Sequence, residues 1–121
     1  MMTGTVLRRQ ATLPVTFRLP AQPNMTLEFV VDTGFTEYLT LPKAAVAAMS
    51  LPFLYSERAS LAEGTDVLLA VHGAIILWSG IERLIRVLAT GRRPLLGTAL
   101  LDHQELRVQF REGGLVSISE L

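Results

Sequence analysis

The sequence predicts an all-β fold carrying one short helix and one helical turn, and three observations carry that prediction. Apolar and polar residues alternate with period two over residues 13–19, 25–31 and 106–111, the signature of half-buried strands. Turn-forming residues interrupt these runs at short intervals, as at Pro20-Ala21-Gln22-Pro23-Asn24, Ser79-Gly80 and Glu112-Gly113-Gly114. Only residues 43–49 have a helix-favouring composition over about two turns.

In chain order, Leu13, Val15, Phe17 and Leu19 alternate with Pro14, Thr16 and Arg18, and Leu27, Phe29 and Val31 resume the pattern after the turn at 20–24. The two runs form a hairpin that delivers the chain into Asp32-Thr33-Gly34. Residues 39–41 make a short strand. Pro42 suits the first position of the helix over 43–49, where its missing N–H is not needed, and Pro52 lies beyond its end. Residues 53–61 and 66–77 read as extended, joined by the hairpin tip Ala62-Glu63-Gly64-Thr65. A further strand covers 81–89, a loop follows at Gly91-Arg92-Arg93, and 94–97 is a short apolar strand ending in Gly97. A helical turn spans 98–102. Leu106, Val108 and Phe110 then alternate with Arg107, Gln109 and Arg111, and Leu115, Val116 and Ile118 return after a turn.

The chain has 121 residues, the size of one domain, so residues 1–121 are taken as a single unit. Half the residues are hydrophobic and 18% are charged. That is apolar for a chain with so much surface, and points to a second subunit covering part of it. Eleven basic and eleven acidic residues give zero formal charge; a phosphate-binding surface needs a positive field, so nucleic acid is not an expected partner. The absence of cysteine removes disulfides, thiolate metal sites and Cys nucleophiles. No signal peptide is read, because the first twenty residues carry charge at Arg8, Arg9 and Arg18 and lack an apolar core of about 7–15 residues. No membrane span is read, because the longest uncharged stretch, 67–81, holds 15 residues and a span needs about 20. The expected setting is cytoplasmic.

The residues with most chemical content are Asp32-Thr33-Gly34, directly after the apolar run Phe29-Val30-Val31. An apolar strand carries the carboxylate toward low dielectric, and the glycine lets backbone N–H groups approach it closely. Asp and Gly are also common turn residues, and such a triplet arises by chance in roughly one chain of this length in twenty. The triplet alone is weak. A second element, Pro94-Leu95-Leu96-Gly97 followed by Thr98-Ala99-Leu100-Leu101, lies about sixty residues downstream.

Together these elements resemble the retropepsin-like (clan AA) aspartic proteases, the retroviral-type enzymes. The resemblance covers nearly the whole chain: the hairpin before the triplet, a central flap-like hairpin, the apolar strand ending in Gly, and the helix after it. The added hairpin over 105–119 is more similar to the retropepsin domains of DNA-damage-inducible ubiquitin-adaptor proteins and of small prokaryotic homologues. The resemblance implies an acid-protease barrel in which a Ψ-shaped crossing frames the active loop. It implies that Asp32 is the catalytic carboxylate, that the Thr33 hydroxyl locks the loops across a dimer, and that Gly34 lines the cleft. Leu95, Leu96 and Gly97 would be the framing element, and Ala62, Glu63, Gly64 and Thr65 the flap over an extended polypeptide substrate.

The implied chemistry needs two carboxylates on one water, sharing a single proton, so that one acts as base and the other as acid. This chain has one such triplet, and the implied partner is therefore a second copy in a homodimer. No metal or organic cofactor is implied. Phe35 departs from the family pattern, which has a small residue there. Its bulk favours an alternative, a non-catalytic peptide-binding or dimerisation module of the same fold. His72 and His103 lack metal-ligand spacing, and each reads as structural or surface. No Gly-x-Ser-x-Gly nucleophile loop is present. The pairs Arg8-Arg9 and Arg92-Arg93 read as solvated surface, and Trp78 as a packing aromatic rather than a stacking platform.

Overall fold

A computed structural model describes residues 1–60 and 63–121. The chain order is β1 (Met2–Leu7), β2 (Gln10–Arg18), β3 (Met25–Val31), β4 (Leu39–Leu41), α1 (Lys43–Ala48), β5 (Phe53–Ser60), β6 (Asp66–Trp78), β7 (Ile81–Ala89), β8 (Leu95–Leu96), α2 (Thr98–Leu101), β9 (Gln104–Val108) and β10 (Leu115–Glu120). The strands form one sheet in the order β5-β6-β7-β4-β8-β3-β2-β1-β10-β9, and a further β6–β2 pairing closes it on itself. The closed ring runs β2-β3-β8-β4-β7-β6. The hairpin strand β5 stands out on one side, and β1, β10 and β9 on the other.

Closure depends on the length of β6. Its first half pairs with β5, from Ser60↔Asp66 to Phe53↔His72. Its second half turns to β2, where Thr16, Phe17 and Arg18 face Leu77, Ile76 and Ile75. The inward residues of the ring make the core: Leu13, Val15, Phe17, Phe29, Leu39, Leu41, Ile76, Val87 and Leu96 are all fully buried. Phe17 and Phe29 stack across β2 and β3 with centroids 5.9 Å apart, a pairing that adds to the area each ring buries. Trp78 is buried in the same core. A smaller cluster of Val6, Ala11 and Val116 lies beneath β1 and β10.

The expected strands are present, with three differences. First, β1 has no counterpart in the sequence reading. Met2, Gly4 and Val6 point inward, but Gly4 breaks the apolar alternation that would have marked the strand. A Cβ at Gly4 would lie 1.9 Å from the Thr12 carbonyl oxygen, so the close approach of β1 to β2 requires glycine there. Second, Phe110 does not continue the inward face of Leu106 and Val108. The strand ends at Val108 and Phe110 is 72% exposed, because Gln109 and Gly114 are drawn into a turn by the bonds Gln109 N–H to Leu115 O and Gly114 N–H to Arg111 O. Third, Pro42 is the N-cap of α1 rather than its first residue. Among the described residues no helix is long and apolar enough to cross a membrane.

Candidate active site

Asp32 follows directly on β3, and β8 fixes where it sits. Val30 and Val31 pair in parallel with Leu95 and Leu96, and the ladder runs one step further, the Asp32 N–H donating to the Leu96 carbonyl at 2.9 Å. On its other edge β8 pairs antiparallel with β4, Leu39 facing Leu96 and Thr40 facing Leu95. The consecutive strands β3 and β4 are thus separated by β8, which arrives from far along the chain. This is the Ψ-shaped crossing.

The loop after β3 then folds back on the carboxylate. The Gly34 N–H donates to Asp32 Oδ1 at 2.9 Å, and the Phe35 N–H donates to the Asp32 carbonyl at 3.1 Å. These two bonds make a turn organised by the aspartate itself. Asp32 is half-buried, while Thr33 and Gly34 are exposed. The low-dielectric surroundings expected of a carboxylate after an apolar strand are only half supplied by one chain. Asp32 and Thr33 line a cavity of about 420 Å³ with Val31, Leu95, Arg93 and Phe110 among its walls.

The two arms of the crossing are stitched by main-chain bonds: Gly97 N–H to Tyr38 O at 2.8 Å, Thr98 N–H to Phe35 O at 2.8 Å, and Ala99 N–H to Glu37 O at 3.3 Å. Gly97 is buried at their centre, and a Cβ there would stand 2.1 Å from the Glu37 carbonyl oxygen. Phe35 turns its ring onto Gly97, whose Cβ would meet its Cδ2 at 2.6 Å. The ring does not line the cavity in front of Asp32. The sequence-identified residues Asp32, Thr33, Gly34, Phe35, Leu95, Leu96 and Gly97 are therefore brought together.

The flap residues are not. Glu63, Gly64 and Thr65 are exposed at the end of the β5–β6 hairpin, with Gly64 at φ +90°, and none of the three lines the cavity at Asp32. Ala62 lies outside the described residues. The tip of the hairpin is closed by the Ser60 hydroxyl donating to Asp66 Oδ1 at 2.7 Å.

One group of residues escaped the sequence reading. Arg86 on β7 donates to the Tyr55 hydroxyl at 3.1 Å and to Glu37 Oε1 at 3.2 Å, and lies over the Tyr38 ring. The Tyr55 hydrogen bond, and then the Glu37 charge, raise the guanidinium pKa above its ordinary value. This bridge ties strand β5 to the loop that follows Asp32. No sequence spacing could have signalled it, since its members come from three separated segments. His72 Nδ1 hydrogen-bonds the Leu51 carbonyl at 2.9 Å, a structural contact, and His103 is exposed.

Among solved structures, the chain is similar to the crystal structure of a retropepsin-like aspartic protease from Rickettsia conorii. The TM-score is 0.61 over 98% of this chain and 94% of that one, at 15% identity. The fold is retropepsin-like. Within this retropepsin-like fold, the Asp-Thr-Gly loop occupies the Ψ crossing and β8 supplies the apolar frame behind it. No protein-family model matches the sequence, and no curated protein does.

Proposed function

We propose that the chain is an aspartic endopeptidase that acts as a homodimer without metal or organic cofactor. The observation that carries this reading is the seating of Asp32. Its main chain is bonded to β8, its Oδ1 is held by the Gly34 N–H, and its side chain is half-exposed to a cavity. A lone carboxylate so placed in a retropepsin-like fold is positioned to meet its twin from a second copy across a two-fold axis. The exposure of Thr33 and Gly34 in the single chain supports this, since these are the residues a second loop would cover.

In the assembled site the two Asp32 carboxyls hold one proton and one water between them. The unprotonated carboxylate takes a proton from the water as its oxygen attacks the peptide carbonyl carbon. The protonated partner donates to the carbonyl oxygen, giving a tetrahedral diol. Collapse of the diol breaks the C–N bond as the carboxyl that took the water proton gives it to the departing nitrogen. The other carboxylate takes a proton from a diol hydroxyl, re-forming a C=O and restoring the one shared proton. Thr33 organises the two loops, Gly34 lines the cleft, and Leu95, Leu96 and Gly97 hold the crossing rigid. The flap at Glu63, Gly64 and Thr65 closes over an extended substrate, Gly64 supplying the turn's freedom.

Phe35 favours a non-catalytic module by its bulk, and the packing of its ring on Gly97, away from the cavity at Asp32, supports the peptidase reading. The test is cleavage of a mixed peptide pool by the wild-type chain and by Asp32→Asn, with sedimentation at the same concentrations. Cleavage that vanishes in the variant and tracks the dimer population supports the reading. Full activity in a monomer, or in Asp32→Asn, refutes it.

A further inference from the structure

One arginine from each of the two basic pairs that read as solvated surface in the sequence stands beside Asp32 in space. Arg9 and Arg93 line the same cavity of about 420 Å³ as Asp32. A second cavity, of about 530 Å³, adjoins it through the shared residues Arg9 and Phe110 and adds Arg8 and Arg111. The result is a groove with four arginines along it, in a chain whose formal charge is zero. Its carboxylates are fewer. Glu112 already accepts a hydrogen bond from the Arg8 backbone N–H at 2.8 Å, and Asp32 is held by Gly34.

Elsewhere, Arg18, Arg86 and Arg107 each pair with a glutamate. Among the described residues none of the four groove arginines forms an ion pair, and Arg93 is held instead by the neutral amide oxygen of Gln10 at 2.8 Å. Arg8 and Arg9 also occupy an expensive place. They are the central residues of the two-residue turn between Leu7 and Gln10, with φ of 51° and 67°, where Asn-Gly would be less strained. Phe110 stands between the two cavities with most of its ring exposed. Unpaired cations flanking an exposed aromatic ring match a peptide segment that carries an acidic side chain beside an apolar one.

We propose that this groove selects polypeptide substrates bearing a glutamate or aspartate, held by Arg9 and Arg93, with a neighbouring apolar side chain against Phe110. The acidic residue lies some positions away from the cleaved bond, because a second negative charge beside Asp32 is repelled. The proposal rests on the reading of Asp32 as the cleavage centre, so its test measures binding apart from cleavage.

Asp32→Asn protein is titrated, by fluorescence anisotropy, with labelled octapeptides that carry a Leu or Phe and one Glu at each successive position. The Gln twin of each peptide is titrated alongside. At low salt the best Glu peptide binds about three- to tenfold tighter than its Gln twin, the range for a pair of exposed charge contacts. That ratio falls toward one in Arg93→Gln, in Arg9→Asn (which suits the turn), and in high salt. Equal affinity for the Glu and Gln peptides, or no binding of either, overturns the proposal. So does a change in dimer dissociation without any change in peptide preference, which would make the groove an interface between copies. Selective binding by Asp32→Asn, with no cleavage of any peptide by wild type, keeps the groove and overturns the peptidase reading instead.

Discussion

The ring of Phe35 lies so close on Gly97 that a single added methyl group would stand 2.6 Å from its Cδ2. The same methyl would meet the Glu37 carbonyl oxygen at 2.1 Å, and that atom belongs to the backbone and cannot swing aside. Gly97→Ala must therefore part the two arms of the crossing. Overpacking of this kind costs about 1–3 kcal/mol, and the backbone contact puts Gly97→Ala at the upper end. Thermal unfolding is expected to show a Tm lower by roughly 10 °C. Peptide cleavage should fall further than the loss of folded protein explains, since Asp32 hangs on Leu96 one residue away. An unchanged Tm would mean that the crossing tolerates a wider separation than its bonds imply.

Asp32→Asn separates chemistry from structure. The amide keeps an oxygen in the place of Oδ1, so the bond from the Gly34 N–H at 2.9 Å survives. Stability is expected to move by less than about 1 kcal/mol, as for other half-exposed replacements that leave hydrogen bonding intact. Cleavage loses its acid and its base together, and should drop by at least the roughly 10²–10⁴-fold that one positioned proton-transfer group contributes. Denaturant unfolding and a peptide assay on the same preparation check both halves.

How much of this site could be read in the sequence follows from how local each signal is. The strand leading to Asp32, the triplet, and the apolar run ending in Gly97 each announce themselves within a few residues. Their union at the crossing does not, and rested on resemblance until the pairing of Val31 with Leu96 showed it. Strand β1 was hidden because its inward position 4 is a glycine, required by the Thr12 carbonyl. Phe110 misled for the opposite reason: it continues an apolar alternation past the point where Gln109 leaves the ladder for a turn. The arginines of the groove come from three separate places in the chain, Arg8 and Arg9, Arg93, and Arg111, and residues so dispersed leave no periodicity to find.

Arg86 joins strand β5 to the loop that follows Asp32, and its removal should be felt more in substrate binding than in folding. The pair with Glu37 is half-exposed at 3.2 Å, and such pairs contribute about 0.2–1 kcal/mol. A double-mutant cycle of Arg86→Ala with Glu37→Ala should return a coupling in that range. The guanidinium pKa lies above its unfolded value. Its stabilising share is therefore complete at every pH below the unfolded value and is lost only as pH rises through the folded one, far into alkali. Across acidic and neutral pH, Arg86 itself should add no slope to the stability curve. If the bridge holds the flap base to the loop, Arg86→Ala should raise KM with the stability nearly unchanged. An unaltered KM would reduce the bridge to a surface contact.

The turn between β1 and β2 sets stability against selectivity. Arg8 and Arg9 both have positive φ, a conformation that costs residues with a Cβ about 1–2 kcal/mol each and that asparagine and glycine adopt readily. The Arg8 main-chain bond to Glu112 does not depend on the side chain. Replacing the pair by Asn-Gly is therefore expected to stabilise the chain by about 1 kcal/mol or more, read as a higher denaturant midpoint with an unchanged slope. The same double variant should lose the preference for glutamate-bearing peptides, because a cation shared by both cavities has gone. A stabilised protein that still discriminates glutamate from glutamine would assign the selectivity to Arg93 and Arg111 alone. A destabilised one would mean that the arginines, and not the backbone, hold the turn.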